Sequence, residues 1–109
     1  MPDVPPNVLV IMADQMRATT SHVYGNPYCT TPGLARLARE GVQFDTAITP
    51  HPLCVPARTS FWTSRWSHAH GVRLNQDFMP LDAHHAFQTW HEAGFQTALI
   101  GKDHCFERP

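Results

Sequence analysis

Charge is scarce in this chain. Only 16% of its residues are Asp, Glu, Lys or Arg, well under the roughly 25% of an average soluble protein. With 8 Lys and Arg against 9 Asp and Glu, the formal net charge is −1. That balance offers no basic surface for nucleic acid or an anionic membrane, so neither is an expected partner. Long apolar runs are missing too. The longest, Val8 to Ala13, is far too short for a membrane span or a signal-peptide core, and no basic leader precedes it. The expectation is a cytoplasmic chain. Cysteine is sparse: Cys29, Cys54 and Cys105 are odd in number and widely spaced, which argues against a disulfide framework as the organising device. The other histidines, among them His68, His70, His84, His85 and His91, lack the compact spacing of a structural zinc site.

What remains suffices for a core, since 42% of the 109 residues are hydrophobic, the size of one small domain. Proline runs against the general scarcity, with 10 residues, about twice the average usage. Met1 to Pro6 is a proline-rich lead-in. Asn7 to Met12 then reads as a short strand, apolar from Val8 onward and rich in β-branched residues, of the kind buried on both faces of a parallel sheet. It stops at Ala13-Asp14-Gln15. Gly25-Asn26-Pro27 marks a loop. Thr31 as cap, Pro32 at the first position, Leu34, Leu37 and Ala38 as a stripe and Gly41 as stop predict a helix over Pro32–Glu40. Residues 42–49 read as a second strand, broken by Pro50-His51-Pro52. Pro56 predicts a helix beginning just after Cys54, and Asp82 a cap for another helix, in which Ala86, Phe87, Trp90 and Ala93 keep helical spacing up to Gly94. Phe87, Trp90, Trp62 and Trp66 read as packing residues. Phe95 to Ile100 is a third buried strand. Strands alternating with helices predict an α/β fold with a mainly parallel sheet flanked by helices.

Three polar clusters follow these elements: Asp14-Gln15, the segment Cys54 to Arg58, and Lys102 with His104. Right-handed crossovers would bring Asp14 and the Lys102/His104 pair to one edge of the sheet, where ligands of open α/β sheets collect. A residue just before a helix meets unpaired N–H groups and the positive end of the helix dipole, which favour a thiolate or a bound oxyanion. Cys54 is so placed, and Arg58, one turn on, could reach the same anion. Lys102, the chain's only lysine, and His104 would share a face on extended backbone. One could hold an anion while the other protonates a leaving group. His70 follows the same helix, and either the active site or a surface or capping position suits it. Cys29 and Cys105 read as structural or incidental.

Cys54-Val55-Pro56-Ala57-Arg58 resembles the C-x-P-x-R signature of the sulfatases, the formylglycine-dependent branch of the alkaline phosphatase superfamily. Asn7 to Gln15 is similar to that family's first strand with its metal-binding acid, Thr31 to Gly41 to its first long helix, and Glu92 to His104 to a helix–strand unit ending in G-K-x-H. The resemblance runs in order over nearly the whole chain. It implies an alkaline-phosphatase-like fold and hydrolysis of sulfate esters through formylglycine made from Cys54 by a maturase. In that chemistry a hydrated aldehyde attacks sulfur with one hydroxyl and expels the bound oxyanion through the other. Asp14, Gln15 and residue 54 would ligate one divalent cation, Ca²⁺ in the first instance, with Mg²⁺ or Mn²⁺ as alternatives. Arg58 would orient the nucleophile, and Lys102 and His104 would contact the transferred group and the leaving oxygen. Many arylsulfatases carry two aspartates where this chain has Asp14-Gln15. The acid–glutamine pair is similar to choline sulfatases and phosphonate monoester hydrolases, so phosphate or phosphonate esters stand as alternative substrates. His51 and Asp103 receive no role. The family's enzymes run to several hundred residues and take further metal ligands from a later segment. Residues 1–109 are therefore expected to be the N-terminal part of a sulfatase-like catalytic domain, with a non-catalytic fragment, a homo-oligomer or a complex with the missing remainder as alternatives.

Overall fold

The structure, a computed structural model, describes residues 5–107. Met1 to Val4 of the proline-rich lead-in lie outside the described residues. The chain divides into two compact units, Met1–Asp45 and Thr46–Pro109.

In the first unit helix α1 spans Pro32–Glu40, the range the cap, Pro32 and Gly41 predict. The Gly41 N–H donates to the Leu37 carbonyl at 2.8 Å and closes the last turn. Thr31 caps by backbone position alone, because its side chain is engaged elsewhere. Its Oγ1 lies 3.0 Å from Ser21 Oγ and 2.8 Å from His22 Nδ1, tying the 3₁₀ turn His22–Tyr24 to the helix. Ser21 is the one fully buried residue described in this unit. The Leu34 and Leu37 stripe stays open to solvent.

The second unit holds the apolar core. Helices α2 (Cys54–Thr63), α3 (Ser67–His70) and α4 (Ala86–Glu92) surround Val55, Trp62, Val72 and Cys105, against which Ala86, Phe87, Trp90 and Phe106 pack. Trp62 is the hub, its ring centroid 4.6 Å from Phe87 and 6.4 Å from Trp90. Trp66, expected to pack, is instead 61% exposed. Helix α4 starts later than Asp82 predicts. The Ala83 N–H closes a separate turn onto the Pro80 carbonyl, and Gln88 Oε1 reaches back to accept the His85 N–H at 3.1 Å, so His85 stands at the cap.

The expected parallel sheet is not formed among the described residues, whose regular elements are all helical. Residues 7–12, 42–49 and 95–100 pair with no neighbour. A strand has no internal ladder: its N–H and C=O groups need partners on adjacent strands about 4.8 Å away, and a parallel strand is stable only when both faces are covered. Without either, Leu9, Ile11, Ile48 and Ile100 are each more than 80% exposed.

His70 settles as a packing residue. Its Nδ1 accepts the Val72 N–H at 3.1 Å, so the proton sits on Nε2, which donates to Ser60 Oγ at 2.8 Å and links α3 to α2. Burial, reinforced by His51, Arg65 and His68, holds its pKa below the ordinary 6.5, and burial lowers that of His85 as well. Both rings are neutral in the unfolded and native states above that value. As pH falls through 6.5 the unfolded chain takes up protons that the native chain does not, and stability drops. The melting temperature is therefore expected to fall between about pH 7.5 and 5.5, and His70→Gln to flatten the slope. A melting temperature independent of pH in that window would remove this assignment.

Candidate active site

The second unit gathers four of the six residues singled out from the sequence. Cys54 is the first residue of α2, with Leu53 at the cap position, so the helix begins at the cysteine rather than after it. The open helix terminus expected there is also narrower. Val55 N–H donates to Asn75 Oδ1 at 3.1 Å, Pro56 has no N–H, and Ala57 N–H donates to the Leu53 carbonyl at 3.0 Å. The N–H of Cys54 itself is the remaining first-turn donor. Asn75 is the residue that sequence reasoning passed over. Its signal was a polar turn, since Asp77 Oδ2 accepts the N–H groups of Arg73 and Leu74 at 2.9 and 2.8 Å and folds the loop that carries it.

Arg58 is not a solvated helix residue. It is 8% exposed, and its Nη1 donates to the Lys102 carbonyl at 2.8 Å. A charged hydrogen bond of this kind is worth about 1.5–3 kcal/mol, and it binds α2 to a segment 44 residues away in sequence. The carrier of the nucleophile candidate and the Lys102–His104 segment are thus physically joined.

That segment is not extended, which corrects the expectation that Lys102 and His104 share a strand face. His104 has φ 56°, and the Cys105 N–H donates back to the Asp103 carbonyl at 2.8 Å. This is a γ-turn of the rare, strained sense. Lys102, Asp103 and His104, with Phe78 and Phe106 as apolar walls, line a cavity of about 450 Å³. His104 Nδ1 is buried without a hydrogen-bond partner.

Asp14 and Gln15 are exposed residues of the first unit. Gln15 also has φ 56°. Three non-glycine residues among those described have positive φ, namely Gln15, Ser64 and His104. Ser64 ends α2 in the left-handed conformation common at helix ends. The other two are both site candidates, and held strain of this kind concentrates where backbone is fixed for function. As donors, Asp14 and Gln15 are of the hard oxygen class that Ca²⁺ and Mg²⁺ take. Ca²⁺, however, needs roughly 6–8 oxygen atoms, and no group of three or more His, Cys, Asp or Glu that could hold a metal exists among the described residues. The described residues do not by themselves close a metal centre.

The cysteines differ sharply. Cys105 is fully buried, and burial pushes its thiol up to about 11; Cys29 and Cys54 are partly exposed. Since the thiolate is the reactive form, iodoacetamide at mild alkaline pH is expected, in protein produced without a maturase, to label the partly exposed Cys29 and Cys54 and to spare Cys105 until the chain is unfolded. Labelling of Cys105 in the native chain would contradict its burial.

The sulfatase family profile matches residues 6–108. The chain belongs to the sulfatase family. It is 32% identical to an N-acetylglucosamine-6-O-sulfatase of Bacteroides thetaiotaomicron over 95% of its own length and 19% of that protein. It is 34% identical to an arylsulfatase of Clostridium perfringens, covering 93% of the chain and 21% of the relative. With a steryl-sulfatase of Mus musculus the identity is 37%, over 92% and 18%. This sulfatase chain therefore spans about a fifth of the length of the curated relatives it matches. No solved structure gives a significant match.

Proposed function

We propose that this sulfatase chain supplies the nucleophile and the leaving-group contacts for hydrolysis of sulfate esters. The observation that carries the reading is the Arg58–Lys102 hydrogen bond, which joins the C-x-P-x-R helix to the G-K-x-H turn in a chain of this family. Cys54 would be converted to formylglycine by a maturase with dioxygen as the external oxidant, the side chain losing the thiol sulfur and two hydrogens and gaining the aldehyde oxygen. The group would supply a hydrated aldehyde whose hydroxyl attacks sulfur. Partial exposure of Cys54 at the start of α2 suits both the modification and the approach of an ester. Arg58 holds the Lys102 backbone. Lys102, which lines the cavity, would meet the anionic sulfuryl oxygens with its ammonium, and His104 would give a proton to the departing ester oxygen. Asp14 and Gln15 would add hard oxygen donors toward a divalent cation, Ca²⁺ by preference. Residues 7–12 and 95–100, apolar and unpaired, have the composition of central strands in the family's α/β sheet and would take that place in a complete catalytic domain.

The Asp14-Gln15 pair favours one competing reading, a phosphonate or phosphate ester hydrolase. Turnover of 4-nitrophenyl sulfate and of phenyl 4-nitrophenylphosphonate by protein produced with a maturase, with Ca²⁺ added, separates the two. Faster release from the sulfate ester is expected. Faster release from the phosphonate would replace sulfate with phosphonate as the substrate class.

A further inference from the structure

The γ-turn at His104 raises the question of what holds a histidine at φ 56°. A non-glycine residue pays for that conformation through the contact of Cβ with the backbone, and left alone it relaxes to negative φ. Three contacts around it prevent this. On the upstream side the Lys102 carbonyl is fixed by Arg58 Nη1 at 2.8 Å. Across the turn the Cys105 N–H is bonded to the Asp103 carbonyl at 2.8 Å, and on the downstream side the Cys105 carbonyl accepts the Met79 N–H, also at 2.8 Å. The Cys105 side chain, with no exposed surface, lies in the same cluster as Val55, Trp62 and Val72. Val55 directly follows the nucleophile candidate in α2, so one apolar cluster seats both the helix start and the turn.

We infer that Cys105 is a positioning residue: by burying its side chain beside Val55 it clamps the γ-turn that presents His104, and with it the spacing between His104 and residue 54. Its thiol does no chemistry in this role. The requirement is a small apolar group that fills the cluster while its backbone N–H and C=O make the two turn contacts. The inference rests on the proposed role of His104, and it adds a residue outside both family motifs to the machinery.

The test pairs Cys105→Ala with Cys105→Val in the full chain produced with a maturase. Kinetics are run well below the melting temperature of each variant, and amide hydrogen exchange is followed at residue 105. Cys105→Ala is expected to lower kcat for 4-nitrophenyl sulfate about tenfold while KM changes less than about twofold, the pattern of an interaction used in the transition state. Protection of the residue-105 amide is expected to fall with it, and Cys105→Val to restore both. A variant that melts earlier but keeps its kcat and its amide protection would overturn the inference and leave Cys105 a plain core residue. If the unaltered protein shows no turnover, the proposed function fails separately, and the exchange arm decides. Protection lost in Cys105→Ala and regained in Cys105→Val supports the clamp, and protection unchanged refutes it.

Discussion

Cys54→Ala is expected to abolish sulfate-ester turnover, with a loss in kcat on the order of 10⁶-fold, the scale on which removal of a covalent nucleophile is felt. The residue sits at the head of α2, where Asn75 already satisfies the Val55 N–H. The variant therefore leaves the helix start intact, and its far-ultraviolet circular dichroism should match that of the unaltered protein. Cys54→Ser makes a sharper test. A serine oxygen can take the sulfuryl group, but it lacks the second hydroxyl through which the sulfate is expelled. One equivalent of phenol per chain should appear in a burst and then stop. Steady turnover by either variant, within tenfold of the unaltered protein, would place the nucleophile elsewhere.

The second large effect is on stability. Trp62→Ala removes the ring that meets Phe61, Phe87 and Trp90 at centroid distances of 4.8, 4.6 and 6.4 Å. Truncation of a buried aromatic costs about 3–5 kcal/mol. A small apolar cluster has little to spare against that, so the variant should be largely unfolded in urea concentrations the parent tolerates. Trp62→Phe keeps most of the ring contact and removes a buried Nε1–H that has no partner, so it should cost far less. Equal midpoints for the alanine variant and the parent would mean that the second unit is not organised around this residue.

The sequence made the helices legible wherever punctuation decides them. Thr31, Pro32 and Gly41 bracket α1 to the residue, because proline at the first position and glycine at the stop act through local backbone geometry. Asp82 misled for a reason equally local: the Ala83 N–H closes a turn first, and the helix nucleates one turn on, at His85. Strand composition in residues 7–12, 42–49 and 95–100 was plain, but pairing is a long-range property that no short segment carries by itself. At the site, residue types, spacing and the family resemblance picked out Cys54, Arg58, Lys102 and His104 as candidates. Their joint geometry could not be read that way. Nothing in the sequence tells that Arg58 turns inward to a carbonyl 44 residues away, or that His104 adopts a positive φ, since even the enriched non-glycine residues such as histidine adopt it in only a minority of cases. Cys105 looked incidental for the same reason.

In the proposed reaction residue 54 carries the nucleophile as formylglycine. Mass spectrometry of the tryptic peptide from Glu40 to Arg58, taken from protein produced with a competent maturase, tests it most directly. The expected peptide has lost one sulfur and two hydrogens and gained one oxygen, and its aldehyde is captured by a hydrazide. A peptide whose Cys54 remains an intact, alkylatable thiol would contradict the central claim.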